Sequence, residues 1–437
     1  MDTFQEITTT APEIGHTVVL GKAGSGKTAA ACARAAYYAA LPEHPGVLLL
    51  TWNRISAELL RQRFRRVQRP PKIMSYQDFA VQRMRQRKVL SGSCRILTPQ
   101  KQQNYLRQAL AYCRSHYPDE PMFQLPESFY APQLYSFRQA AASAPDGADS
   151  SVPEKLRRCL EALYMKYLEL RTFDGWHYDR DDLAEAFYRS AQTSRPEYRY
   201  AHIIVDQAEE FSPVMLQSLL TCLQSGGSFT MFADPAQQIC SCRHAWQEAG
   251  IPVSRIRVLS EKCRASAEID AFLSNILRRL DCRAPAAEEC DHADRLAFRL
   301  FPTPSVEAEA IITQALQISR HEPTVILCRN GRMLERFREM LSCRRAGFTV
   351  LSTDSSTIPQ HRTVYLSEYR DAKGLVFPHV FLPGLSAQAQ AGAEDSRRAE
   401  LRLLYAAASR AQKTLRLSGS GMPSPLLSPH CVCVTKC

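Results

Sequence analysis

The 437-residue sequence lacks any apolar run long enough to cross a membrane, and a run such as residues 46–52 is only the length of a strand. Its first residues lack the basic-then-apolar pattern of a secretion signal. It also contains no internal repeat and no low-complexity tract. These absences argue against membrane, secreted and fibrous classes, so we expect a soluble cytoplasmic protein.

Paired C-x-x-C spacing is also missing, although the chain has 15 cysteines. Several of them lie within apolar segments, where a free thiol behaves as a small hydrophobic group: Cys32, Cys113, Cys159, Cys222 and Cys328. A disulfide framework is not expected in so long a chain without a signal. The C-terminal group of His430, Cys431, Cys433 and Cys437 lacks the ligand spacing of a zinc site.

The composition is that of an ordinary globular protein, with 45% hydrophobic and 23% charged residues. The length predicts two or three domains. The formal net charge of +11 favours a polyanionic partner such as nucleic acid. Charge alone fits a merely basic protein almost equally well.

Residues 21–28 match G-x-x-x-x-G-K-[ST], the phosphate-binding loop. An apolar strand pattern at 17–20 precedes the loop and a helical pattern at 28–36 follows it, so phosphates would meet a helix N-terminus. Lys27 is placed to reach the β- and γ-phosphates, and the Thr28 hydroxyl to bind Mg²⁺. The predicted nucleotide-binding residues here are Gly21, Ala23, Gly24, Ser25, Gly26, Lys27 and Thr28.

Strand and helix patterns alternate along residues 14–79, which predicts a parallel sheet with helices on both faces. Helical periodicity dominates residues 80–199, and strand patterns return at 202–206 and 228–234. A second α/β region begins near residue 260. We therefore predict a first lobe at 1–79 and 200–259, a helical insertion at 80–199, a second lobe at 260–420 and a loose tail at 421–437.

Asp206 ends an apolar strand pattern, the place where a phosphate loop finds its second Mg²⁺ ligand. Residues 205–211 read Val-Asp-Gln-Ala-Glu-Glu-Phe and resemble the Val-Asp-Glu-Ala-Gln-Asp-Phe motif of UvrD/Rep-type superfamily 1 helicases. Residues 233–239 and 372–377 are similar to the family's Gly-Asp-x-x-Gln-Ser-Ile and Ala-Lys-Gly-Leu-Glu-Phe. Further resemblances follow in family order at residues 50–59, 75–79, 179–183, 259–264 and 400–411.

The resemblance implies two RecA-like parallel-sheet P-loop NTPase lobes with a helical insertion in the first, and ATP and Mg²⁺ as cofactors. It implies that Gln237 contacts the γ-phosphate and that Arg264 and Arg410 supply positive charge from the second lobe. It also makes Gln5 the candidate adenine-reading residue. The implied contacts with single-stranded or partly duplex DNA are Thr51, Trp52, Asn53, Ser75, Tyr76, Arg243 and Lys373.

The chain departs from the family pattern at several functional positions. Gln207 stands where the family has the Glu expected to act as general base, and an amide cannot accept a proton from water. Glu209 and Glu210 lie two and three residues further on and are not expected to reach the same spot. Cys263 stands where the family has an aromatic residue that packs on adenine, and Val376 where it has a Glu that contacts ribose. Cys240 and Cys242 stand where the family has aromatic residues, one of which stacks on DNA bases.

The large second-lobe insertion of the family is missing, since only about a hundred residues separate Arg264 from Lys373. This favours a protein partner that supplies DNA contacts. Two functions fit the sequence. One is an ATP-dependent single-stranded DNA translocase or 3′→5′ helicase, for which Gln207 and Gln237 belong to the catalytic set. The other is a nucleotide- and DNA-binding pseudo-helicase that does not hydrolyse ATP. RNA in place of DNA is compatible with the charge but not with the family.

Overall fold

The computed structural model describes residues 15–43, 46–90, 95–125, 129–130, 133–134, 137, 153–176, 178–193, 199–237, 245–259, 266–280, 295–352, 355, 361–387, 394–427 and 434–436. These residues form two compact units. The first comprises Met1–Tyr76, Tyr198–Pro213 and Cys222–Cys437, and the second comprises Gln77–Glu197 and Val214–Thr221. Among the described residues, no helix is both long and apolar enough to span a bilayer.

The first sheet has six parallel strands in the order β3-β2-β4-β5-β1-β6. Its central strands are buried on both faces, which explains why they read as continuous apolar runs. The strands are β1 (Gly15–Gly21), β2 (Val47–Thr51), β3 (Lys72–Ser75), β4 (Tyr200–Asp206), β5 (Leu223–Ala233) and β6 (Val253–Leu259).

Two helices follow β1 and β2. Helix α1 (Lys27–Ala39) packs Ala30, Ala31 and Ala35 into an apolar core with strand residues of the first sheet. Helix α2 (Arg54–Arg63) is capped at its N-terminus by Asn53, whose Oδ1 accepts a hydrogen bond from Ser56 N at 2.7 Å. We call this sheet, its two helices and the loops that directly follow its strands the first lobe.

The second unit is helical and lies in sequence mainly between β3 and β4. Its core comes from α4 and α5 together with Phe123 and Tyr130. A buried ion pair joins Arg171 to Asp182, and Tyr167 donates a hydrogen bond to Asp179 at 2.9 Å. Its helices are α3 (Tyr76–Gln86), α4 (Pro99–His116), α5 (Glu154–Phe173), α6 (Arg180–Thr193) and α7 (Pro213–Leu220), of which Tyr76 and Pro213 belong to the first unit.

The short helix α8 (Ala245–Glu248) precedes β6. After β6, the chain builds a second parallel sheet in the order β13-β7-β12-β11-β8-β10-β9. We call this sheet and its helices the second lobe. Its strands are β7 (Leu296–Phe301), β8 (Thr324–Cys328), β9 (Phe348–Val350), β10 (Val364–Glu368), β11 (Phe377–Leu382), β12 (Ala411–Ser420) and β13 (Val434–Lys436). Its helices are α9 (Ala267–Arg279), α10 (Pro304–Ser319), α11 (Gly331–Cys343) and α12 (Glu394–Ala408).

The architecture is the predicted one of two RecA-like parallel sheets with helices. The C-terminal segment differs from the predicted loose tail, because β13 pairs in parallel with β7 and Leu426 is buried in the core of the second lobe. An edge strand such as β7 would otherwise present unpaired backbone groups, which explains why a short strand adds to it.

Candidate active site

The phosphate-binding loop connects β1 to α1. Gly24 and Gly26 have φ values of 79° and 88°, a region that residues with a Cβ rarely adopt. A Cβ on Gly21 would collide with Ser25 Oγ, and that buried hydroxyl has no hydrogen-bond partner among the described residues. An unsatisfied hydroxyl beside a helix N-terminus suits an anion such as a phosphate group.

Lys27 is held inside this loop. Its Nζ donates hydrogen bonds to the carbonyl oxygens of Gly21 at 2.7 Å and Lys22 at 2.8 Å, and lies 3.7 Å from Asp234 Oδ2. The hydrogen bonds of the Lys27 ammonium group are thus made to oxygen atoms that phosphate oxygens can replace.

Thr28 and Asp206 lie together at the ends of neighbouring elements. Thr28 Oγ1 donates a hydrogen bond to Asp206 Oδ2 at 2.9 Å. Burial raises the pKa of the Asp206 carboxyl, against the effects of the Thr28 hydrogen bond and the Lys27 charge. A hydroxyl and a desolvated carboxylate are the oxygen ligands that Mg²⁺ prefers, so the two residues fit the predicted metal site. The described residues contain no cluster of three or more His, Cys, Asp or Glu that would hold a metal by itself.

Gln207 adopts a left-handed backbone conformation, with φ of 63° and ψ of 43°. Its Oε1 accepts a hydrogen bond from Thr51 Oγ1 at 3.1 Å. Its Nε2 lies where a Cβ on Gly374 would be, so only a glycine fits at that position of the second lobe. Gln207 is therefore confined between Thr51 of the first lobe and Gly374 of the second.

The two acidic residues that follow Gln207 lie on a short 3-10 turn, Ala208–Glu210. Glu209 Oε2 accepts a hydrogen bond from Asp234 N at 3.0 Å, and burial raises the pKa of Glu209 to about 8. Glu210 forms an ion pair with Lys373 of the second lobe. Both line the same cavity as Gln207, which the sequence analysis did not predict.

A buried polar network links the first lobe to the second. Gln237 Nε2 donates a hydrogen bond to Asp234 Oδ2 at 2.8 Å, and Gln237 Oε1 accepts one from Arg410 Nη2 at 2.8 Å. The Tyr405 hydroxyl accepts a hydrogen bond from Ala23 N at 3.0 Å and lies 3.3 Å from Asp234 Oδ2. Burial lowers the pKa of Arg410, an effect that the charges of Glu209 and Asp234 oppose.

One cavity of about 480 Å³ is lined by Gln207, Glu209, Glu210, Gln237 and Arg410. The first lobe contributes the phosphate loop, Asp206, Gln207 and Gln237, and the second contributes Lys373, Gly374 and residues 409–412. Val376, where the family has the ribose-binding Glu, lines the cavity and is 43% exposed. The predicted site did not include Asp234, Tyr405 and Glu209. Their positions at strand ends or within family motifs are the sequence feature that could have identified them.

The predicted DNA contacts on the first lobe are mostly buried. Thr51, Ser75 and Tyr76 are each at most 3% exposed, and Tyr76 packs its ring edge-on against Phe211. Trp52 is half-buried beside Phe211. Of these four residues, Trp52 is the most exposed.

Asn53 and Lys373 meet at the junction of the lobes. Asn53 Nδ2 donates a hydrogen bond to the Lys373 carbonyl at 2.9 Å, and Lys373 is 8% exposed. The structure therefore brings these two predicted DNA contacts together with Glu210. The predicted residues Gln5, Arg243 and Arg264 lie outside the described residues, as do Cys240, Cys242 and Cys263.

Comparison with known proteins gives a family match and similarities to solved structures. The chain is similar in structure to the C-terminal domain of a possible DNA helicase from Lactobacillus plantarum WCFS1, with 20% identity and a TM-score of 0.31, over 39% of this chain and 97% of that domain. No curated protein shows significant sequence similarity to the chain. The model of the UvrD/REP helicase N-terminal domain matches residues 1–250. Because this match extends over more than half of the sequence, the chain belongs to the UvrD/REP helicase family.

Proposed function

We propose that the protein is an ATP-dependent translocase on single-stranded DNA and a 3′→5′ DNA helicase, which acts in the cytoplasm and hydrolyses ATP between its two lobes. The observation that carries the proposal is the single cavity to which the phosphate loop and Arg410 both contribute. The polarity is that of the family.

In this proposal the phosphates of ATP replace the loop carbonyls as partners of Lys27, and backbone N–H groups of residues 23–27 surround them. Thr28 and Asp206 would hold Mg²⁺, which would supply positive charge to neutralise the phosphates. Arg410 and Gln237 place positive charge and a hydrogen-bond donor beside the γ-phosphate. Phosphoryl transfer depends mainly on such positioning and charge neutralisation.

Stepping along DNA requires that the state of the nucleotide changes the contact between the lobes. Gln237 and Arg410 supply a direct connection, because the hydrogen bond between them crosses from one lobe to the other. Loss of the γ-phosphate changes the charge that this pair faces. We propose Trp52 as a base-stacking residue, and a protein partner as the source of the DNA contacts that the absent insertion makes in the family.

A second candidate function is a pseudo-helicase that binds ATP and DNA as a switch or scaffold without hydrolysis. Gln207 is the observation that favours it, because its amide cannot accept a proton from the attacking water. Retention of Lys27, Thr28, Asp206, Gln237 and Arg410 favours the enzyme.

The test is ADP release from Mg-ATP with and without single-stranded DNA, for the natural chain, Gln207→Glu and Lys27→Ala. We expect DNA-stimulated release by the natural chain, its loss in Lys27→Ala, and unwinding of duplexes that carry a 3′ tail but not a 5′ tail. ATP binding without turnover by both the natural chain and Gln207→Glu would establish the pseudo-helicase instead.

A further inference from the structure

Glu209 is a carboxylate fixed at the wall of the nucleotide cavity, and the family motif has an amide at its position. Its turn is closed by a hydrogen bond from Glu210 N to the Gln207 carbonyl at 3.1 Å. One carboxylate oxygen, Oε2, accepts the backbone N–H of Asp234 at 3.0 Å. This hydrogen bond holds the carboxyl group at the cavity wall.

The charged groups around Glu209 are those expected to hold the γ-phosphate. The charge of Lys27 in the phosphate loop opposes the rise in the pKa of Glu209, and the charge of Glu209 opposes the fall in the pKa of Arg410 in the second lobe. Asp234 and Glu210 are the like charges that face it. Glu209 thus lines the same cavity as Lys27 of the first lobe and Arg410 of the second.

Gln207 cannot perform the proton transfer that its position implies. Its carbonyl oxygen is occupied by the Thr51 hydroxyl and its amide nitrogen lies against Gly374. The amide of Gln207 is therefore held by Thr51 on one side and lies against Gly374 on the other.

We propose that Glu209 is the general base of ATP hydrolysis in this chain. The carboxylate accepts one proton from water while the water oxygen forms a bond to the γ-phosphorus. The bond from that phosphorus to the β,γ-bridging oxygen breaks, and ADP leaves with the electron pair. The family arrangement of Glu followed two residues later by Gln is thus reversed to Gln at 207 and Glu at 209. The assignment rests on the proposed hydrolysis of ATP.

The protonation behaviour of Glu209 suits the task. Burial raises its pKa to about 8, against the opposing charge of Lys27, and a base is most effective when its pKa is near the working pH. Because the ionised form is the active one, kcat/KM for ATP should rise with pH through this pKa.

The experiment compares DNA-stimulated ADP release by the full chain, Glu209→Gln, the reversed pair Gln207→Glu with Glu209→Gln, and the control Glu335→Gln. Glu335 is an exposed residue of α11 that does not line the cavity. Binding of a fluorescent ATP analogue is measured for each variant. We expect Glu209→Gln to lower kcat by about 100-fold or more with little change in analogue affinity, because general bases contribute about 10²–10⁴-fold. The reversed pair should recover most of the loss, and Glu335→Gln should behave as the natural chain.

A kcat of Glu209→Gln close to that of the natural chain would overturn the assignment and leave the proposed function intact. Turnover by Gln207→Glu but not by the natural chain would also overturn it. If Glu209→Gln loses analogue binding, the pH profile of the natural chain decides, since kcat/KM that is flat from pH 6 to 9 contradicts a base with this pKa. A natural chain that binds ATP without any turnover would refute the proposed hydrolysis itself.

Discussion

The Tyr405 hydroxyl is the one group of α12 that touches both the phosphate loop and Asp234 among the contacts described above. It lies in a buried position where an unpaired N–H or carboxylate is costly. Tyr369 offers a contrast in the same lobe, since its hydroxyl is buried with no hydrogen-bond partner among the described residues. Substitution of each tyrosine by phenylalanine therefore distinguishes the contribution of a hydrogen-bonded hydroxyl from that of an unpaired one.

We expect Tyr405→Phe to lower the free energy of unfolding by about 1–3 kcal/mol, because it leaves Ala23 N without its partner. Tyr369→Phe should be neutral or slightly stabilising, since it removes a buried unpaired hydroxyl. Urea denaturation of both variants and the natural chain measures the difference. Equal destabilisation by the two substitutions would mean that the hydrogen bonds of Tyr405 contribute nothing to stability.

At the residue scale the sequence located the site but not its geometry. The phosphate loop, Asp206 and the substitution at Gln207 follow from motif spacing, because the fixed residues carry the signal themselves. The role of Glu209 does not, because it depends on the left-handed conformation of Gln207 and on the 3-10 turn that follows. A backbone conformation that is unusual for a non-glycine residue is set by tertiary contacts that spacing along the chain cannot reveal.

At the scale of elements, Asn53 connects the start of α2 to the second lobe. Its Oδ1 caps the helix through Ser56 N, while its Nδ2 donates to the Lys373 carbonyl. Asn330 caps α11 in the same way, since its Oδ1 accepts a hydrogen bond from Met333 N of the same helix at 3.0 Å. Asn330 therefore serves as a control for Asn53, whose side chain makes the same kind of cap and also contacts the second lobe.

We predict that Asn330→Ala lowers the free energy of unfolding by about 1 kcal/mol, the typical contribution of a helix cap. Asn53→Ala should cost about 1 kcal/mol more, since it also leaves the Lys373 carbonyl without its donor. Asn53→Asp keeps an oxygen for the cap and should restore only the first part. Chemical denaturation gives the three values, and an equal loss for Asn53→Ala and Asn330→Ala would show that the hydrogen bond between the lobes adds no stability.

Buried strands were easier to predict from the sequence than exposed ones. Strand β4 contains the predicted strand pattern 202–206, because a parallel strand covered on both faces is a continuous apolar segment. Strand β6 was not predicted, since it lies at the edge of the first sheet and alternates charged with apolar residues, of which Ile256 is 59% exposed. Edge strands are defined by a partner, and their own sequence carries a weaker signal.

At the scale of the whole first unit, the two lobes share more than polar contacts. Ile55 and Ala236 of the first lobe belong to the apolar core formed mainly by residues of the second. Residues as distant in sequence as Gln237 and Arg410 meet across this junction. Periodicity and spacing predict two sheets but not which side chains join them. A nucleotide cavity lined by both lobes could therefore be predicted only from the family resemblance.

The composite cavity predicts how a nucleotide should affect stability. A ligand held by both lobes stabilises both, and at 100 times its Kd the gain is about 2.7 kcal/mol, which corresponds to about 100-fold slower opening. We therefore expect a non-hydrolysable Mg-ATP analogue to slow amide hydrogen exchange in a peptide covering residues 21–28 and equally in one covering residues 405–412. Lys27→Ala should abolish both effects, because it removes the cation that binds the phosphates. Slowing confined to residues 21–28 would mean that the nucleotide binds the first lobe alone, and Arg410 would then have no part in holding it.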